Sequence, residues 1–312
     1  MKFYLAPMEG ITGYVYRNAY QKYFEPFDKY FLPFISPNPK GKFAPWEEED
    51  LLPEHNQNMY AVPQILTNRA EEFISTAKSL KNYGYDEVNL NLGCPSKGVV
   101  AKYRGAGFLA KTEELDAFLE KIFVQLDIKI SIKTRVGRWD ADEFEDLLEL
   151  YNKYPLEELI VHPRVQQDYY ANIPNLKEFQ RAYEKSRSPV CYNGNLFSEE
   201  DYEKMVEDFP NLTCVMLGRG ILRNPQLIGR IKGMDDPGIA SYRGFHDDLL
   251  SGYLSTIHGE KNAICKMKEI WGHMKHSFKV TEEMLRPIRM ANDRITYEKA
   301  VEDFFRQTEL KE

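Results

Sequence analysis

Eight short β-rich apolar runs punctuate the first 221 residues: FYLAPM (3–8), KYFLPFIS (29–36), YAVPQILT (60–67), EVNLNLGCP (87–95), IKISIKTRVG (128–137), ELIVHPR (158–164), PVCYNGN (189–195) and CVMLGRGI (214–221). Between them lie segments such as RAEEFISTAKSLKNYG and TEELDAFLEKIFVQL, where apolar residues return every three or four positions, the period of an amphipathic helix. Eight strand–helix alternations in about 235 residues have the rhythm and size of a (β/α)8 barrel, with a doubly wound sheet as the rival arrangement. Beyond about Tyr242 the β-rich runs stop and only helical periodicity remains. The predicted organisation is therefore an α/β TIM barrel over 1–240 followed by an all-helical domain over 241–312, with GMDDPGIASYRG (233–244) as linker.

Composition narrows the class. With 43% hydrophobic and 29% charged residues the chain matches a globular protein rather than a disordered or fibrous one. No apolar stretch approaches the length of about 18 residues that a membrane span requires. The opening MKFYLAPMEGITG carries one basic residue and only a short apolar run, which falls short of a secretory signal, so a cytoplasmic protein is expected. Cys94, Cys191, Cys214 and Cys265 are widely spaced and form neither a CxxC nor a Cys/His cluster, which argues against zinc and against a disulfide framework. Cys191, Cys214 and Cys265 sit inside apolar patterns and read as core, and no metal is expected.

The net charge of −7 argues against a protein that grips nucleic acid over its whole surface, but the charge is uneven. Residues 243–312 hold twelve basic and twelve acidic side chains, so the whole deficit lies on 1–242. Within the tail, Lys261 to Arg294 contains eight basic residues against four acidic ones. Lys268, Lys275 and His276 are spaced to share one helix face able to follow phosphates.

In a barrel, chemistry gathers at the C-terminal ends of the strands, so polar residues that terminate apolar runs are informative. Met8 follows the first run, Gln64 the third, Asn91 and Cys94 the fourth, Lys133 and Arg135 the fifth, His162 and Arg164 the sixth, Asn193 the seventh and Arg219 the eighth. Any one alone fits a loop residue or a satisfied polar group; their convergence on one rim is harder to explain that way. YNGN and LGRG place Gly194, Gly218 and Gly220 in the loops after runs seven and eight, where barrels commonly bind phosphate through backbone N–H groups, and Arg219 adds a cation. Two ordinary βα turns give the same motifs, and neither matches a P-loop or a dinucleotide fingerprint. Lys133, facing a barrel interior, needs an anion or a developing negative charge such as the N1–C2=O edge of a reduced flavin, unless it snorkels to water. His162 fits a ligand contact or a structural hydrogen bond. Cys94 ends an apolar strand and opens a loop containing Gly98, Gly105 and Gly107, a setting that favours chemistry over burial as an inert thiol.

Taken together and in order, APMEGITG, NLNLGCP, IKTRVG, VHPR, YNGN and LGRG resemble the tRNA-dihydrouridine synthases over essentially the whole chain. The resemblance implies reduction of the C5–C6 bond of selected tRNA uridines with FMN and NADPH, on a barrel carrying a C-terminal helical domain. Carried over by position, it implies that Pro7 and Met8 lie against the flavin ring and that Gln64 and Lys133 bond its polar edge. It further implies that His162, Asn193, Gly194, Gly218 and Arg219 hold ribityl and phosphate. Asn91 is then the residue facing the uracil, Cys94 the proton donor, and Arg135 and Arg164 lie on the substrate side. The implied partner is tRNA, with no membrane, and a monomer is expected.

The chain departs from the family pattern in two places. HPRVQQDYY stands where many members have a glycine after the histidine and a threonine after the arginine, and Asn195 stands where an aspartate often follows NG. An FMN barrel oxidoreductase for a small molecule such as dihydroorotate would share the flavin site but has no use for a helical domain with a basic patch. A non-enzymatic RNA-binding module leaves Lys133, Cys94 and LGRG without purpose.

Overall fold

The structure is a computed structural model that describes residues 1–37 and 42–311. Its eight strands, β1 (Lys2–Leu5), β2 (Lys29–Ile35), β3 (Ala61–Ile65), β4 (Glu87–Leu92), β5 (Lys129–Gly137), β6 (Leu159–Val165), β7 (Val190–Tyr192) and β8 (Cys214–Leu217), close in chain order into a barrel. Every neighbouring pair is parallel, and β1 completes the ring against β8 from Lys2↔Cys214 to Leu5↔Leu217. The TIM barrel expected from the eight alternations is the fold observed, and the doubly wound rival is excluded by the closed ring.

Two compact units divide the chain. The first comprises Met1–Gly10, Phe27–Asn195 and Lys204–Leu217, and holds every strand. All six residues of β4 are buried because a barrel strand is covered on both faces. Alternation sends Val88, Leu90 and Leu92 to one face and Glu87, Asn89 and Asn91 to the other. Inside the barrel, Tyr4, Phe31, Val62, Ile160, Cys191, Cys214 and Met216 form an apolar cluster. A charged group closes the same interior: Lys29 lies 2.8 Å from Glu87 and 3.3 Å from Glu158, and the Tyr4 hydroxyl donates to Glu158 at 2.7 Å. Burial, which opposes the ammonium charge, is outweighed by the two carboxylates, so Lys29 titrates above its ordinary value.

The second unit comprises Ile11–Pro26, Leu196–Glu203 and Gly218–Glu312 and is helical. The helix Tyr14–Tyr23 packs on the helix Gly238–Thr256 through aromatic edges, with Tyr16 and Phe245 centroids 5.6 Å apart. Trp271 Nε1 donates to the Tyr297 hydroxyl at 2.9 Å, which leaves that hydroxyl to donate to His246 Nε2 at 2.8 Å. The linker predicted over 233–244 is loop only as far as Pro237, where the long helix begins.

Two expectations for the tail are corrected. Cys265 is exposed, because the buried stripe of its helix runs through Ala263, Ile264, Met267, Ile270, Trp271 and Met274 and leaves residue 265 outside. Lys268, Lys275 and His276 do not share a helix face: the helix ends at Met274, Lys275–Ser277 form a 3₁₀ turn, and Lys268 is committed to the Ala291 carbonyl that ends the helix Glu282–Met290. Much of the basic excess is also paired, with Lys266 on Glu269, Lys279 on Glu309, Arg289 on Glu282 and Arg294 on Glu298.

Candidate active site

Gln64 and Asn91 stand near the C-terminal ends of β3 and β4, Lys133 and His162 lie midway along the longer strands β5 and β6 rather than at their ends, Asn193 directly follows β7, and strand register sets them side by side. Gln64 pairs with Asn89, Asn91 with Lys133, and Arg135 with His162. A one-directional chain of hydrogen bonds links this rim to the charged floor. Asn91 Nδ2 donates to Gln64 Oε1 at 2.6 Å, Gln64 Nε2 to Asn89 Oδ1 at 2.7 Å, Asn89 Nδ2 to Ser131 Oγ at 3.0 Å, and the Ser131 hydroxyl to Glu87 Oε1 at 2.7 Å. A carboxylate only accepts, so Glu87 fixes the Ser131 hydroxyl as a donor and thereby fixes the amide orientation of Asn89, Gln64 and Asn91 in turn. Asn89, Ser131 and Glu87 were not singled out by sequence, although the alternation in EVNLNL and IKISIKTR puts them on the faces of Asn91 and Lys133.

The side-chain oxygen of Asn91 accepts from the backbone N–H groups of Gly93 at 3.1 Å and Cys94 at 2.9 Å, folding the chain into a turn that presents the half-buried thiol. Burial pushes the Cys94 thiol above its ordinary value; the Ser96 N–H directed at the sulfur, and the cations Arg135 and Lys133, pull the other way without reversing it. At neutral pH the group is therefore a thiol with a proton to give.

Lys133 is the electrostatic anomaly. Burial, then the adjacent Arg135 guanidinium, lower its pKa to about 8, and among the described residues no carboxylate pairs with it. An enclosed cation without a counter-ion is a place for an anionic ligand edge. His162 adds no charge, because burial and the surrounding Lys133, Arg135 and Arg164 hold its pKa well below the ordinary value. The Arg164 Nη1 lies 3.1 Å from His162 Nε2, and since a guanidinium only donates, Nε2 accepts and the ring proton sits on Nδ1.

Arg135 and Arg164, both buried, are tied to the protein. Arg135 donates to the carbonyls of Gly93, Val165 and Tyr169 at 2.9, 2.8 and 2.7 Å, and so joins the loops that follow β4 and β6. Arg164 donates to Asn172 O at 2.6 Å and to Asn195 Oδ1 at 3.1 Å, which gives Asn195 a structural partner. Asn193 Nδ2 is anchored on Met216 O at 2.9 Å. The next residue, Gly194, has no room for a side chain, because a Cβ there would meet the Tyr192 hydroxyl at 2.0 Å. Pro7 and Met8 are half-buried just after β1. Gly218 and Arg219, the first residues after β8, belong to the second unit, where Gly218 precedes the short helix Arg219–Arg223 and the Arg219 guanidinium lies 5.5 Å from the Phe197 ring.

The site thus combines an uncompensated cation, neutral hydrogen-bonding groups and a protonated thiol; these residues fit a ligand with an anionic polar edge beside an acceptor of a proton. Among the described residues no group of three or more His, Cys, Asp or Glu is placed to hold a metal ion, and no helix is long and apolar enough to cross a membrane.

The chain is similar to tRNA-dihydrouridine synthase B of Pasteurella multocida (strain Pm70), 26% identical over 231 residues that cover 72% of this chain and 67% of that protein. Among solved structures, a 2-naphthoyl-CoA reductase complex superposes with a TM-score of 0.56 at 12% identity, covering 75% of this chain and 50% of that one. A variant of NCR from Zymomonas mobilis does so at 0.53 and 13% identity, covering 78% and 92%. At that identity the two structures speak for the fold alone. The model of the dihydrouridine synthase family matches residues 4–311. The chain therefore belongs to the dihydrouridine synthase family and is a flavin-dependent oxidoreductase of the tRNA-modifying class.

Proposed function

We propose that the protein reduces the C5–C6 bond of particular uridines in folded tRNA to dihydrouridine, using FMN as its flavin and NADPH as reductant. The observation that carries this reading is a protonated thiol at Cys94, just after β4, and an unbalanced ammonium at Lys133 on the adjacent strand β5, whose register partner is Asn91. When bound, FMN supplies the two electrons that NADPH delivers. Lys133 offers positive charge to the N1–C2=O edge, Gln64 hydrogen-bonds the polar edge, and Pro7 and Met8 pack against the ring. Neutral His162 and Asn193 hold the ribityl chain. Gly194 and, by their position directly after β8, Gly218 and Arg219 take the phosphate.

The target uridine must leave its stack to reach this rim. Asn91 orients the uracil, while Arg135 and Arg164 border the substrate side and order its loops. Reduction at C6 leaves negative charge at C5; the Cys94 thiol donates the proton that quenches it, and the Ser96 N–H steadies the thiolate left behind. In this reading the barrel domain over 1–240 carries the flavin, the helical domain over 241–312 contributes to holding tRNA, and the enzyme acts as a cytoplasmic monomer.

The test is to incubate the FMN-loaded protein with NADPH and an unmodified tRNA transcript set, then measure dihydrouridine by nucleoside mass analysis. The expected result is a gain of two hydrogens on uridine at defined positions. NADPH oxidation driven by orotate, with no change in any tRNA, would replace this reading with the small-molecule one.

A further inference from the structure

Two large aromatic side chains stand in water beside the Cys94 loop: Trp139 is 56% exposed and Tyr103 43% exposed. One cation serves both rings, since the Arg138 guanidinium lies 4.5 Å from the Trp139 centroid and 5.5 Å from the Tyr103 centroid. Lys111, which also pairs with Glu114 at 3.0 Å, lies 5.1 Å from the Tyr103 centroid. The Arg138 Nε is buried and has no hydrogen-bond partner, and among the described residues no carboxylate pairs with this guanidinium. The nearby Glu143 is committed elsewhere, accepting from the backbone N–H groups of Arg138, Trp139 and Asp140 at 2.8 to 2.9 Å.

These bonds also make the aromatic pair a fixed surface. Glu143 pins the loop that carries Trp139. Tyr103 holds φ at 52°, a left-handed conformation that an aromatic residue adopts only under constraint. The constraint comes two residues on, where Gly105 also has positive φ and a Cβ would meet the Cys94 carbonyl at 2.8 Å, while Ala106 N–H donates to that carbonyl at 3.1 Å. The ring of Tyr103 is thus set by the same turn that sets the thiol.

We infer that Tyr103, Arg138 and Trp139 form a stacking platform for an unstacked nucleobase of the RNA strand, adjacent to and distinct from the place of the reacting uracil. The inference rests on the RNA substrate proposed above and adds a second nucleotide site to it. Every base offers a π-face that an indole or phenol can cover, and a guanidinium shared between rings suits the phosphate beside that base. On the Tyr103 side residues 96–111 contain Lys97, Lys102, Arg104 and Lys111 and no acidic residue; Arg104 pairs with Glu72 and Lys111 with Glu114, and the acids Asp140, Asp142 and Glu143 follow Trp139, so Arg138, Lys97 and Lys102 are the cations left for phosphate. Extrusion of the target uridine breaks stacking with its neighbour, and the platform replaces what that neighbour loses.

The test uses the full-length FMN-loaded protein. The chain has three tryptophans, and Trp271 is buried, so Trp46→Phe leaves Trp139 as the exposed reporter. Titration with unmodified tRNA, and with single-stranded oligouridylate, should quench its fluorescence to saturation. Trp139→Ala and Tyr103→Ala should each raise KM for tRNA by about tenfold, with the loss falling on KM rather than kcat, and Trp139→Phe should restore most of it. Unquenched fluorescence together with an unaltered KM in both alanine variants, while dihydrouridine still forms, overturns the platform. A wild-type protein that forms no dihydrouridine but is quenched by RNA overturns the proposed reaction and keeps the platform.

Discussion

The backbone N–H of Cys94 donates a 2.9 Å hydrogen bond to the side-chain oxygen of Asn91, and Asn91 in turn donates through Nδ2 to Gln64 at 2.6 Å. One asparagine therefore couples the position of the thiol to the side chain assigned to the flavin edge. The amide carries a second N–H beyond the bond to Gln64, the donor that the proposed contact with a uracil carbonyl would use.

Asn91→Ala should uncouple the two halves. The Gly93 and Cys94 N–H groups lose their acceptor, and Gln64 loses the donor that fixes its oxygen. Dihydrouridine formation should fall by roughly 100-fold, a scale set by misplacement of reacting groups, with the loss in kcat exceeding that in KM. Steady-state kinetics on a single tRNA transcript decide it.

Ser131→Ala tests the chain below the rim. It leaves Asn89 Nδ2 and Glu87 Oε1 facing each other inside the barrel without the hydroxyl that joined them. The expected cost is about 1–3 kcal/mol of stability, read from urea unfolding of the protein. An unchanged midpoint would mean that the amide orientations are set by something other than Glu87.

How much of this was legible in the sequence follows from how local each feature is. Alternation within one strand placed Lys133, Asn91 and Gln64 on the barrel rim, because a period of two needs only a few residues to be seen. The commitments of Arg135 were invisible, since its three carbonyl acceptors, on Gly93, Val165 and Tyr169, come from separate stretches of chain. The spacing of Lys268, Lys275 and His276 implied one helix face only while the helix was taken to continue past Met274. Cys265 looked internal because its neighbours Ile264 and Met267 are, yet a helical stripe is narrower than an apolar run.

Lys133 gives a pH signature. Burial and Arg135 hold its pKa down at about 8, so the free protein carries the proton below that pH and loses it above. A bound anionic edge favours the protonated form and raises the pKa, so FMN affinity should be full below about pH 8 and weaken by up to about tenfold per unit as pH rises beyond it. Fluorescence titration of FMN across this range should show the slope in the wild type and lose it in Lys133→Met. The same slope in the methionine variant would assign the dependence to another group.

Arg135→Lys separates a strut from a ligand contact. A lysine keeps the charge but cannot reach three carbonyls in one plane, so the protein should lose about 2–4 kcal/mol of stability. Proteolysis should then open first at the loops after β4 and β6, which this guanidinium ties together. A variant as stable as the wild type would show that the carbonyls find other donors.

Cys94→Ala addresses the proton transfer itself. In rapid-mixing spectroscopy, NADPH-driven bleaching of the flavin and its reoxidation by tRNA are followed as separate steps in the same sample. Loss of the thiol should slow reoxidation by tRNA by about 100-fold or more, the usual scale for a positioned general acid, while the bleaching step proceeds. An alanine variant whose flavin is reoxidised by tRNA at the wild-type rate would contradict the assignment of Cys94 as proton donor.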